Sequence, residues 1–401
     1  FYGQVPAGLA LAGQRMAPDV IGFQEIASSV ALNNLRTMLN TAPGSPGDWE
    51  ITPFSSGPDT TTTMAYRSSK LEFLQQVLVS IGQLNVPGIP PRNTYRYDFR
   101  LRGYTGTGAV VSFYVVHMKA GDTTDDQAKR LTEAQRIRDN AELLGGLFLG
   151  GQFVVMGDFN IQTSSQGAYQ ELVGFQPNNA GRFFDPIARP GSWNNSSGFA
   201  MIHTQDPKGA GGMDDRHDQI LIGGALLDGV GFDYVGTLTA PQTPVPWNLS
   251  TFADANHSYR TWGNDGSQYN GPIRIAGNTM VGATIAQAIW DTIPTPNPNP
   301  PTTNPTVTGG HLPVFLDLRV PARIGADTVL DFGVVQQNDP APQRTLTVFN
   351  SGDTALWGVN GIASLSYTLA APAPFAAPAG TFVDAAGGGV NTHTITMSTS
   401  S

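Results

Sequence analysis

The 401-residue sequence carries 22 Lys and Arg against 31 Asp and Glu, a formal charge of −9, and only 13% of its residues are charged, where about 25% is usual for a soluble domain. Hydrophobic residues make up 40%, which excludes wholesale disorder and, at this length, favours two domains. No apolar run approaches the roughly 20 residues of a membrane helix, no cysteine serves zinc or disulfides, and the acidic balance argues against a basic nucleic-acid clamp while leaving open an enzyme that meets phosphate through a cation.

In chain order, a polar helical stretch from Gly13 leads through Pro18 into the apolar run Val20 to Phe23, a buried strand that ends in Gln24-Glu25. Thr61 to Arg67 and Val110 to His117 read as further strands, rich in β-branched and aromatic residues. Between Asp125 and Leu144 apolar residues recur at helical spacing, and Gly145-Gly146 supplies a stop. Phe153 to Met156 and Gln219 to Ile222 are buried strands, and Leu312 to Val320 is the last strand of an α/β domain whose sheet is expected to be mixed. The Pro-rich segment Pro294 to Pro305 interrupts that domain. Beyond a boundary near Pro321 to Gly325 come Val329 to Phe332, Arg344 to Phe349 and Thr392 to Met397, alternating runs without helical period that argue a small all-β sandwich. The expected division is therefore 1–322 and 323–401.

Polar residues cluster at strand ends, where open α/β folds build sites: Glu25, His117, Asp158 and Asn160 of Gly-Asp-Phe-Asn, Asp218, and His311. The set offers carboxylates for a hard cation, two imidazoles for proton transfer and an amide for orientation. Asp158 and Asn160 lie two apart on an extended chain, so both can address one ligand. Taken singly, each has a plainer reading: a solvated strand end for Glu25, a turn for the quartet, a hydrogen-bonded structural imidazole for His117 or His311. His203, His257 and His393 lack the strand-end context. Arg92, Arg96, Arg100 and Arg102 alternate at even spacing, which suits the solvated face of a strand better than a phosphate track.

In order along the chain, DVIGFQEI (19–26), MAYRSSKLEFL (64–74), FYVVHMKA (113–120), VVMGDFN (154–160), DDRHDQILI (214–222) and GGHLPVFLDLRV (309–320) resemble the signature blocks of the endonuclease/exonuclease/phosphatase superfamily. The resemblance, over residues 1 to about 320, implies two packed sheets flanked by helices and a phosphoesterase site in the groove at their top. It implies that Glu25 binds a divalent cation, Mg²⁺ or in its place Mn²⁺ or Ca²⁺. Asp158 and Asn160 would position the water and the phosphate. His117 would contact the phosphoryl oxygens or the leaving group, and His311 would act as general base or phosphate stabiliser with Asp218 hydrogen-bonded to it. Three positions depart from the pattern. Gly310 stands where the family has Asp, Thr60 to Thr63 replace a glutamate found in deoxyribonuclease-type members, and the strand that opens the family's fold is missing before residue 13. Residues 325–353 resemble the immunoglobulin-like sandwich modules of large exported bacterial proteins, which implies a spacer or attachment role.

Few lysines (Lys70, Lys119, Lys129 and Lys208) and a Thr/Asn/Gln/Ser/Gly-rich surface read as a bacterial protein that is secreted or held at the cell surface. The expectation is an exported, cation-dependent phosphoesterase, a nuclease or other phosphodiesterase, whose partner is nucleic acid or another phosphate ester. The rival is a structural or adhesive protein that keeps the fold without catalysis.

Overall fold

The computed structural model describes residues 18–147, 151–208, 211–293 and 310–400; the stretch 13–17 and the Pro-rich segment 294–305 lie outside them. The chain forms two compact units, one running to Asp228 and resuming over Tyr234–Asp317, the other made of Gly229–Asp233 and the chain from Leu318 onward.

The first unit is mixed α/β. Its small sheet holds β1 (Val20–Ile26), β2 (Trp49–Ile51) and β3 (Thr61–Arg67) in the order β1-β3-β2. Its large sheet holds β4 (Leu71–Ser80), β5 (Thr94–Leu101), β6 (Val110–His117), β7 (Phe153–Asp158), β8 (Phe183–Phe184) and β9 (Asp218–Gly223) in the order β4-β5-β6-β7-β9-β8. Only β6 and β7 run parallel, so the sheet is mixed as the sequence suggests. The helices are α1 (Ser29–Thr41), α2 (Thr124–Leu147), α3 (Gly167–Val173) and α4 (Gly282–Thr292).

Strand parity explains the layers. Side chains alternate along a strand, and every residue of β6 is buried, so both faces must be covered. On one face Tyr97 donates its hydroxyl to the Thr62 carbonyl at 2.8 Å, and a Cβ at Gly22 of β1 would stand 2.8 Å from Met156 Cε and 3.3 Å from Val115 Cγ1. The small sheet packs there, close enough that a Cβ at Gly22 would displace the Met156 methyl. On the other face Tyr114 donates to Asn140 of α2 at 2.8 Å. Arg96 shares that face. It is buried, pairs with Asp98 at 2.8 and 2.9 Å, and donates to Asn140 at 2.7 Å. It therefore lies on no solvated strand face, contrary to the even-spacing reading, because α2 covers the alternate positions. α2 also runs through Gly145, where a Cβ would meet the Ala180 carbonyl oxygen at 2.3 Å. That glycine serves a close approach, and the helix ends at Leu147, just past the Gly145-Gly146 pair.

Within the same unit Arg260–Thr261 pairs with Val314–Phe315, and α4 packs over Met213, Trp262, Ile273 and Leu312. The long strand expected from Leu312 to Val320 is broken into two short ones, Val314–Phe315 and Leu318–Arg319. No helix among the described residues is long and apolar enough to cross a membrane.

The second unit is strand-rich. Ile324–Ala326, Gln343–Asn350, Asn391–Met397 and Phe375–Ala376 form a four-stranded antiparallel sheet in that order, and Leu365–Thr368 pairs with Thr381–Asp384. Val329 to Phe332 is not a strand. Leu330 and Phe332 instead line an apolar cavity of about 360 Å³ with Leu346, Phe375 and Ile395, and Asp331 turns the chain by accepting from the Gly333 N–H at 2.8 Å.

Asp98 accepts from Arg96 and also from Gln75 and Ser112, each at 2.6 Å. Replacing it by Ala leaves the Arg96 guanidinium buried and uncompensated, so Asp98→Ala is expected to cost about 3–5 kcal/mol in urea unfolding of the first unit.

Candidate active site

The site begins with strand register. β6 and β7 place His117 opposite Asp158, and β7 and β9 place Asp158 opposite Asp218. Three polar residues on three adjacent strands thus form one row. By parity they share the face of Val115 and Met156, which looks toward β1. Above that row β1 ends in a register shift between Phe23 and Ile26, and Glu25 takes φ +59°, a left-handed conformation uncommon outside glycine and worth explaining when seen. The shift re-aims Glu25, as bulges beside sites do. Its side chain is 72% exposed, with Oε1 3.9 Å from His117 Nε2.

At the end of β7, Gly157 has φ +134°, and a Cβ would sit 2.2 Å from the Val116 carbonyl oxygen and 2.9 Å from Gln24 Nε2. Only glycine fits. Asn160, at φ +51°, folds back on Asp158, donating its backbone N–H to Oδ1 at 2.8 Å and its side-chain Nδ2 to Oδ2 at 2.9 Å and to the Met118 carbonyl at 3.1 Å. Both oxygens of Asp158 are thereby fixed, and Oδ2 lies 3.6 Å from His117 Nε2. Burial pushes the Asp158 carboxyl well up from the ordinary range, with His311 opposing and Asp218 reinforcing.

His311 arrives from the far end of the unit. It forms a bridge with Gln205, Leu312 donates its N–H to the Thr204 carbonyl at 2.8 Å, and Asp206 donates its N–H to the Gly310 carbonyl at 2.9 Å. Gly310 has φ +75°, and a Cβ there would stand 2.9 Å from Ile293 Cγ2. The backbone itself selects glycine at that position. His311 Nδ1 meets Asp218 Oδ2 at 2.7 Å. Burial pushes the His311 imidazole down, but the charge and hydrogen bond of Asp218, with Asp158 and Asp206 behind it, raise it to about 10. For Asp218, burial pushes the carboxyl up, and the charge and hydrogen bond of His311 outweigh it and hold it below the usual range. His117 is held neutral: burial, then Arg92 and His311, lowers it to about 3.

All six sequence-derived residues are thus brought to one place, Glu25 and Asp158 through His117, Asn160 on Asp158, and His311 through Asp218. Sequence reasoning underweighted Arg92, which donates Nη1 to the His117 carbonyl at 3.3 Å and pairs with Asp59 at 3.1 Å. It also passed over Asp206, Asp215 and His217. The signal for the last two was present in the Asp-Asp-Arg-His-Asp run, of which only the final carboxylate was used. Glu25 and Asp158 supply hard oxygen donors of the kind Mg²⁺ takes, through one or two carboxylates with water completing the shell. Among the described residues no group of three or more His, Asp or Glu side chains stands ready as a metal cage.

No family profile matches the chain, and no curated protein does. Among solved structures the chain is similar to an endonuclease/exonuclease/phosphatase family protein from Bacteroides thetaiotaomicron, at 17% identity over 54% of this chain and 69% of that one with TM-score 0.35. It is similar to the human Nocturnin catalytic domain with bound sulfate anion, at 12% identity over 57% and 77% with TM-score 0.36. It is also similar to D. rerio TDP2 complexed with single strand DNA product, at 15% identity over 51% and 71% with TM-score 0.34.

An imidazole with a raised pKa stabilises the fold while protonated. Against an ordinary value near 6.5, the His311 contribution is fully present below about pH 6.5 and is lost as pH rises through about 10. Histidine NMR titration is expected to find His311 still protonated at pH 8, and Asp218→Asn is expected to return it toward the ordinary value. A wild-type His311 that titrates below pH 7 would contradict the assignment.

Proposed function

We propose that this chain is an exported phosphoesterase of the endonuclease/exonuclease/phosphatase type, acting on a phosphodiester with a divalent cation, with nucleic acid as its foremost substrate class. The observation that carries this reading is the row His117–Asp158–Asp218 closed by His311 and faced by Glu25. A phosphodiester is an anion that repels nucleophiles, so catalysis consists of positioning and of charge placed where charge develops. When bound through Glu25, Mg²⁺ would neutralise charge on the phosphoryl oxygens.

The chain's own residues do the rest. Asp218 occupies His311 Nδ1, leaving Nε2 as the atom offered to the groove. Protonated near neutrality, His311 donates to a phosphoryl oxygen, so of the two roles open to it the stabiliser is favoured over the general base. Asp158, fixed on both oxygens by Asn160, orients the attacking water. Neutral His117, between Glu25 and Asp158, addresses the leaving oxygen, and Arg92 adds positive charge at that edge. The strand-rich second unit, with its LDFG and TLTVFN segments and NSGD turn, is in this reading an immunoglobulin-like attachment module for a cell-surface or extracellular setting.

Purified protein is expected to cleave DNA or a chromogenic phosphodiester with Mg²⁺, Mn²⁺ or Ca²⁺, to lose that activity in EDTA and to regain it on metal addition. His311→Ala and Glu25→Gln are expected to lower kcat by about 10²–10⁴, whereas Arg92→Ala should act mainly on KM. Undiminished rates in EDTA would remove the cation from the mechanism. No turnover on any phosphate ester would favour the structural or adhesive reading, for which Gly310 and its glycine-requiring backbone speak.

A further inference from the structure

The second unit holds a cavity that the proposed chemistry does not use. All ten side chains that line its volume of about 360 Å³ are apolar. Leu346 and Ile395, from neighbouring strands of the four-stranded sheet, form its floor. Phe332 and Phe375, with ring centroids 5.3 Å apart, form an aromatic wall. Leu330, Phe332, Leu346 and Phe375 are each only half-buried, so the cavity opens to solvent. Val329 and Val334, on either side of the Leu330–Phe332 segment, are 76% and 100% exposed. A packed interior leaves no void of this size, whereas concave sites lined mainly by apolar side chains are the usual form of a small-molecule pocket.

The lining selects the chemistry of the occupant. A sugar, a base or a peptide would bring polar groups into a space whose side chains offer them no hydrogen bond, and each would go unsatisfied. Hydrocarbon meets no such penalty. One cation stands at the edge. Arg344 pairs with Ile395 across the ladder and lies two residues before Leu346, so by strand parity it shares the face that floors the cavity. Its guanidinium lies 5.6 Å from the centre of the Phe332 ring. Nε donates to the Asp331 carbonyl at 2.6 Å and Nη1 to the Gln343 carbonyl at 2.9 Å, which fixes the fork and leaves Nη2 for another acceptor. No carboxylate among the described residues pairs with it. Arg344 is also the only Lys or Arg after residue 323, in a stretch that carries five Asp. An unpaired cation set against the aromatic wall of a hydrocarbon-lined cavity complements an anionic head joined to an apolar tail.

We propose that this cavity binds a free fatty acid of medium chain length, with its tail between the Leu346–Ile395 floor and the Phe332–Phe375 wall and its carboxylate on Arg344. The volume lies at the small end of the range for ligand pockets, which suits one medium chain and excludes the two chains of a phospholipid. The site uses no residue of the first unit, so it does not depend on the phosphoesterase reading. It gives the strand-rich unit a ligand of its own.

The test is isothermal titration calorimetry of the full chain with decanoate, below its micelle concentration, and with 1-decanol. Decanoate is expected to saturate one site per chain and to bind more tightly than 1-decanol. Arg344→Gln should weaken decanoate about two- to fivefold and leave 1-decanol unchanged. Ala371→Trp, which fills the cavity, should weaken both ligands at least about tenfold. Ala377→Trp replaces it if far-UV circular dichroism shows that Ala371→Trp fails to fold, and if neither folds the Arg344→Gln comparison decides alone. Decanoate that does not saturate, an affinity untouched by a folded Trp variant, or an Arg344→Gln variant that treats decanoate as the wild type does overturns the proposal. Binding to phosphatidylcholine–phosphatidylglycerol vesicles without binding of monomeric decanoate overturns it as well and assigns the face to a membrane. Phosphodiester hydrolysis is expected to be unchanged in these variants, so the two readings stand or fall separately.

Discussion

The whole site hangs on the register of three neighbouring strands. Because β6 and β7 run parallel and β7 and β9 antiparallel, the last residues of β6 and β7 and the first of β9 fall on one line. A slip of one residue at either ladder would turn His117 or Asp218 to the α2 face. What prevents the slip is bulk on both sides: β6 is buried along its length, Tyr114 and Arg96 are fastened to α2, and Gly157 admits its neighbours only at zero side-chain volume. Apolar packing thus sets the geometry of the polar row.

Charge in that row is arranged by burial as much as by pairing. The two carboxylates of the row, Asp158 and Asp218, respond in opposite senses to their surroundings. Asp218 has an imidazolium in direct contact and stays ionised; Asp158, held by an amide and a backbone N–H, is pushed toward the neutral form. Environments that separate two like groups in this way are how one site obtains residues of different protonation at one pH. The acidic net charge of the chain does not fix the charge of the groove, where His311 and Arg92 bring positive charge beside the carboxylates.

Much of the first unit was legible in the residues. β3 and β6 follow β-branched and aromatic runs to the residue, and α2 follows its apolar spacing, because local pattern and tertiary burial agree there. Failures fall where tertiary contact overrode local preference. Arg96 reads as solvated, yet α2 covers it. Leu330 and Phe332 alternate like a strand but line a cavity without pairing. The candidate site residues were visible one by one as polar strand ends, and their order gave the resemblance. The register that aligns them was not visible, since pairing between distant segments leaves no mark on either.

The bond between His311 and Asp218 joins positions 93 residues apart in sequence, and the intervening chain includes the α4 helix and the Arg260–Thr261 strand. Closing so long a loop costs entropy that only the assembled core repays. On a ribosome, the groove would therefore stay incomplete until the last part of the first unit had emerged, although β1 to β9 were already made. A unit built this way completes its polar row only once its last segment, which carries His311, has been made.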